Sequence, residues 1–189
     1  MKEKDYILAN SSEIVENLYS ALENIQDRGI GNVEETLDRF INFLDKKTNN
    51  EKNVEEIFTI LDSEKHFEPM YIKDISFLSI CEHHLVPFFG NVDIAIIPEG
   101  NIAGLSKYSD LVEYFSNAFQ IQERLTRKIG EKIDETLSPQ GVFVRITGQH
   151  ICSQVDGGIK SLSQFITTHS TGVYSMDASL REEAMKQFE

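Results

Sequence analysis

An α+β domain is predicted over residues 66–189, behind a helical extension over residues 1–65, and three observations carry that reading. The apolar period changes from helical to strand-like at Tyr71, two helical stretches follow one another over 108–137, and Pro139-Gln140-Gly141 stops them before two further strand-like runs. The order β-β-α-α-β-β predicts a four-stranded antiparallel sheet with both helices on one face. Such a sheet has open edges that must be paired or protected.

Taken in order, Leu8, Ile14, Val15, Leu18, Tyr19, Leu22 and Ile25 recur at helical spacing, and Ser11 or Ser12 before Glu13 can cap a helix over 8–27 that ends near Gly29 to Gly31. Asn32 to Leu44 is a second amphipathic helix, closed by the polar loop Lys46 to Asn53. A short third helix is expected over Val54 to Leu61. This acidic arm suits packing on a neighbouring subunit, and a cap on its own subunit fits the pattern equally. Tyr71 to Ile80 and Phe88 to Ile97 read as strands joined through Cys81-Glu82-His83-His84. Helices are expected at Tyr108 to Phe119 and Ile121 to Leu137, strands at Val142 to Val155 and Phe165 to Tyr174, and a last helix at Leu180 to Phe188.

Forty per cent hydrophobic and 26% charged residues are ordinary for a soluble globular chain of 189 residues, long enough for one domain plus an extension. The net charge of -13 repels polyanions and speaks against nucleic-acid binding. No apolar run approaches a membrane span, and Met-Lys-Glu-Lys-Asp opens the chain without a signal-peptide core, so a cytoplasmic protein is expected. In a reducing compartment two cysteines favour thiolate ligands over a disulfide framework.

Chemistry concentrates at Cys81-Glu82-His83-His84, where a thiol and two imidazoles share four residues. Cys-x-x-His supplies two metal ligands, and the only other cysteine, Cys152, follows His150 on a predicted strand. Cys81, His84 and Cys152 would make a three-ligand zinc site with one open position, leaving His83 and His150 to move protons. A disulfide, or two unrelated buried thiols, fits the same spacing.

The segment CEHHLVPFFG, then Gly104-Leu105-Ser106-Lys107, then Gln122-Glu123-Arg124-Leu125-Thr126, then His150-x-Cys152, closely resembles the GTP cyclohydrolase I family in order and spacing. The resemblance covers about residues 31 to 188 and is strongest from Leu78 to Cys152. It implies the tunnelling fold and a ring-shaped homo-oligomer, a decamer of two pentamers. It also implies zinc held by Cys81, His84 and Cys152, and hydrolytic opening of a guanine imidazole ring with carbon 8 lost as formate. By the same resemblance His150 and His83 handle protons, with His83 equally suited to an orienting role. Glu123, with Gln122 beside it, binds guanine, although alone Glu123 and Arg127 would read as a solvated helix pair. Ser106 is placed near the ribose, or caps a helix starting at Lys107. The product is a dihydropterin, or a ring-opened pyrimidine if the sugar does not reclose.

Departures fall on the positions that hold the triphosphate in the family. Lys107 and Arg39 match its cations, but two arginines become Asp110 and Asp156, and a lysine becomes Asn42. Each arginine-to-aspartate exchange reverses two units of charge, which is costly beside phosphate. Lys160 offers a replacement if the Asp156-Gly157-Gly158 segment rearranges. The expected substrate is therefore a guanine nucleoside or nucleotide that need not carry three phosphates, with GTP and a dihydroneopterin triphosphate product as the alternative. A zinc-bearing scaffold or regulatory paralogue is a further alternative, against which the retention of Glu123, His83 and His150 speaks. A nitrile-reducing relative with a cysteine nucleophile fits less well, because both cysteines are wanted as ligands.

Overall fold

A long antiparallel hairpin, β2 (Met70–Cys81) and β3 (Pro87–Ile97), forms the spine of the computed structural model, which describes residues 20–21, 33–49, 53–62, 68–155 and 163–189. Two compact units divide the chain, Met1–Lys46 and Lys47–Glu189. In the first, α1 (Val33–Thr48) begins as the amphipathic helix expected from Asn32 and continues one turn further, and Arg39 on it pairs with Glu35 at 2.7 Å. Apart from residues 20–21, which are helical, the helix expected over 8–27 lies outside the described residues.

The second unit opens with a 3-10 turn, Val54–Glu56, in place of the third helix, and continues into β1 (Ile60–Asp62). Ile57 and Phe58 enter the core directly after that turn, and β1 then pairs with β4 (Asn101–Ala103), so the segment is extended where helical spacing is expected. This pairing places β1, which precedes residue 65, within the second unit.

The main sheet has the order β5-β2-β3-β6-β7, with β5 (Phe119–Gln120) parallel to β2, and with β6 (Gly141–His150) and β7 (Phe165–Ser170) antiparallel to their neighbours. The four long strands are those expected, and β5 adds a short fifth. Helices α2 (Leu105–Ser116) and α3 (Gln122–Leu137) lie between β3 and β6 in sequence, giving the ββααββ order of the tunnelling fold.

Both helices cover one face. Leu125, Ile129, Ile133 and Leu137 recur along one side of α3 and join Leu111 and Val112 of α2 against Val92, Ile94, Ile96, Val144 and Ile146. Each such fully buried aliphatic side chain contributes about 1.5–3 kcal/mol. The strand period of two sends Ala95, Ile97 and Phe143 to the opposite face, where Tyr174, Ala184 and Phe188 cover them. Those residues come from α5 (Gly172–Met176), from α6 (Ala178–Gln187) and from just after it.

Two strand expectations end early. β6 stops at His150 and Cys152–Val155 forms a short helical turn, α4, while β7 stops at Ser170 because Gly172, with φ 53°, turns the chain into α5. Helix α2 starts at Leu105 behind Gly104 without a side-chain cap, so Ser106 lies inside the helix and does not cap it. Asp177 caps α6, its Oδ1 accepting from Ser179 N at 2.8 Å.

Candidate active site

At the end of the hairpin the chain closes a tight turn between two donors. Cys81 N donates to Val86 O and Leu85 N to Cys81 O, both at 2.9 Å, and Leu85 takes a left-handed backbone with φ 55°. The turn brings Cys81 Sγ within 3.8 Å of His84 Nδ1. Register supplies the third donor. Phe88 pairs with His150, so the chain leaving β6 delivers Cys152 beside Cys81. The ligand atoms of Cys81, His84 and Cys152 all lie within 4.8 Å of one another, and both cysteines are free thiols.

This donor set fits a metal. Ligands around a tetrahedral zinc lie about 3.5–3.8 Å apart for bonds of about 2.0–2.3 Å, a spacing that Cys81 and His84 already have. Burial, and then the neighbouring Cys81 sulfur, push the Cys152 thiol above its ordinary value. A divalent cation is what lets two such sulfurs be anionic together.

Beside the cluster, His150 stacks on Phe88 with ring centroids 4.7 Å apart, and burial lowers its pKa against the opposing pull of Glu123. Its Nε2 lies 2.9 Å from Gln122 Oε1. Gln122 is fully buried, and its amide nitrogen donates to Ile146 O, Phe165 O and Thr167 Oγ1 at 3.2, 2.9 and 3.1 Å. With the nitrogen so committed, Oε1 is the acceptor and His150 donates from Nε2. Gly148 permits this approach, because a Cβ there would stand 2.2 Å from Gln122 Oε1. Thr126 and Thr167 hydroxyls complete the network at 2.6 Å.

A cavity of about 410 Å³ is lined by Cys81, His83, His84, Gln122, Glu123, His150 and Cys152, with Phe165 on its wall. Seven of the residues singled out in the sequence thus meet at one place. Ser106 and Lys107 are not among its lining residues; Lys107 Nζ pairs with Asp110 Oδ2 at 3.1 Å, and Asp110 lines a separate polar cavity of about 600 Å³ with Asp74, Ser76 and Glu113. Arg39 and Asn42 lie on α1 in the other unit. Asp156 and Lys160 lie outside the described residues.

Glu82 and Arg124 received no role from sequence although both stand inside the motifs. Arg124 donates from Nη1 and Nη2 to the two carboxylate oxygens of Glu82 at 2.6 and 3.0 Å, and the guanidinium holds the Glu82 carboxyl below its usual range. Gln120, also unassigned, lines the cavity and donates from Nε2 to Phe115 O at 3.1 Å. No helix among the described residues is long and apolar enough to cross a membrane.

Two thiols and an imidazole converging beside histidines, on an α+β sheet with ββααββ order, mark a cleft whose donor set fits a metal ion. The family profile of GTP cyclohydrolase I matches residues 12–189. A GTP cyclohydrolase 1 of Streptococcus agalactiae serotype Ia is 44% identical over 131 residues, covering 69% of this chain and 70% of that protein. One of Chlorobium chlorochromatii is 38% identical over 175 residues, covering 89% and 77%. The chain belongs to the GTP cyclohydrolase I family and is a cyclohydrolase. Among solved structures, apo archaeosine synthase QueF-Like is similar with a TM-score of 0.47 at 16% identity, covering 55% of this chain and 93% of that one.

Proposed function

We propose that this cyclohydrolase opens the imidazole ring of a bound guanine by hydrolysis, releasing carbon 8 as formate and giving a dihydropterin or a ring-opened pyrimidine. The observation that carries the reading is the convergence of Cys81, His84 and Cys152 with Glu123 and His150 on one cavity. Cys81, His84 and Cys152 would hold zinc, which when bound would supply Lewis-acid activation of water near neutral pH. Glu123, offering only acceptors, holds the guanine N–H edge. His150, fixed through Nε2 by Gln122, presents its other ring nitrogen for proton transfer, and His83 orients or assists from the exposed turn. Gln122 contributes to the guanine pocket chiefly by this restraint.

A homo-oligomeric ring, a decamer in this reading, gives Ser106 and Lys107 a place. Because both lie apart from the cavity of their own chain, they serve ribose and phosphate from a neighbouring copy. Arg39 is a second proposed phosphate contact. Asp110 already takes the charge of Lys107, and with Asn42 and Asp156 it leaves the phosphate clamp weak. The proposed substrate is therefore a guanine nucleoside or nucleotide without a strict need for three phosphates, handled in the cytoplasm.

The names of the relatives favour a second reading, GTP as substrate, for which the family resemblance implies dihydroneopterin triphosphate as product. Formate release from guanosine, GMP and GTP decides between them. Turnover of all three, with less than tenfold advantage for GTP, is expected; turnover of GTP alone overturns the weakened clamp, and formate from none overturns the ring opening.

A further inference from the structure

We propose that Glu82 and Arg124 form a brace that positions the ligand turn and keeps the Glu82 carboxylate off the metal. This rests on the three-ligand reading above. The turn from Cys81 to Val86 carries two ligands and His83, while α3 carries Gln122 and Glu123 in its first turn. Two links run from Glu82 to the segment that leads into and through that first turn. Glu82 N donates to Gln120 O at 3.1 Å, and the Glu82 carboxylate receives both arms of the Arg124 guanidinium.

The form of the contact points to positioning more than to stability. A two-armed guanidinium–carboxylate pair fixes angle as well as distance, which a single ammonium contact does not. Both side chains are about one-third exposed, 33% and 31%, and pairs so placed add little to folding. What the pair does is join the half of the site that holds the ion to the half that holds the base.

Its second effect is chemical. Glu82 directly follows Cys81, and a carboxylate oxygen is a competent zinc ligand. Each Glu82 oxygen instead accepts from Arg124, and the convergent donors among the described residues are Cys81, His84 and Cys152 without Glu82. The brace thereby leaves the fourth corner of a tetrahedral ion to water or substrate. Arg124 touches no reacting atom and is a positioning residue.

The test uses the full chain loaded with cobalt(II), whose visible bands report ligand number and type, and zinc affinity from chelator competition. Arg124→Gln is expected to alter the cobalt bands, as the freed carboxylate reaches the ion, and to move zinc affinity about 10–100-fold from the parent's. Glu82→Gln is expected to weaken zinc without that added ligand, Arg124→Lys to fall between, and the exchange of both residues, Glu82→Arg with Arg124→Glu, to restore much of the affinity. Kcat falls in Arg124→Gln while KM changes less than about threefold. Should Arg124→Gln not fold, Arg124→Lys and Glu82→Gln carry the same readouts. Cobalt bands and zinc affinity equal to the parent in the folded variants overturn the brace alone. A parent that takes up no cobalt overturns the three-ligand centre and the brace with it.

Discussion

The two ends of the central sheet are built to opposite specifications. Around Asp93 to Ile97 and Gly141 to Arg145, α2 and α3 cover one face and the C-terminal helices the other. A buried charge there, Asp93, is fully engaged: Oδ1 accepts from Asp74 N at 3.0 Å, and Oδ2 from Arg145 Nε and Nη2 at 2.9 and 2.7 Å. At the other end Phe89 is 40% exposed, Leu85 in the turn 47%, and Phe165 on the cavity wall 43%. There the polar groups serve the site, with Gln122 holding His150 and Arg124 holding Glu82. One sheet thus separates a region whose interactions close on themselves from a region whose interactions end at a cleft, and mutations should divide the same way.

The sharpest break in that contrast is Cys152→Ala. Removing one of three ligands should cut formate release on the order of 10³-fold or more, with the melting temperature of the metal-free chain nearly unchanged. Parallel assays of formate and thermal unfolding check both halves, and retained turnover would remove Cys152 from the site. Asp93→Ala is its counterpart at the closed end. It leaves the largely covered Arg145 without its carboxylate and should lower stability by about 3–5 kcal/mol in urea titration, with the folded fraction keeping its turnover. Gly148→Ala sharpens the comparison with a smaller effect. Its methyl displaces Gln122 Oε1 and should lower kcat about tenfold or more, with KM little moved and stability lowered by about 1–3 kcal/mol. A variant that lost stability and kept kcat would assign Gly148 to the core instead.

Those contrasts follow how legible each part was in the chain. Helix α3 was plain because Leu125, Ile129, Ile133 and Leu137 mark one stripe over four turns, and β2 and β3 because apolar runs sit between polar turns. Strands of two or three residues, β1, β4 and β5, have no period to read, and their pairing depends on partners about 40 residues distant. Cys152 was expected on a strand because the run from Val142 reads as extended through to Val155, yet the backbone turns at Ile151 and presents the sulfur from a helical turn. The candidate metal donors were legible as residue types. The restraints on them were not, because a glutamate next to a cysteine and an arginine next to a glutamate look like solvated charges until the fold sets them 2.6 Å apart. Gly148 is the same case: only the approach of Gln122 gives the missing Cβ a meaning.

Leu85 bears on how the cleft behaves before anything occupies it. Its backbone conformation, φ 55°, is one that glycine adopts freely and leucine only at a cost of about 1 kcal/mol. Glycine would ease the bend, but it would also let the linker between sulfur and imidazole sample many shapes in an empty enzyme. A leucine narrows that choice, so the polypeptide itself gauges the gap between the Cys81 sulfur and the His84 imidazole.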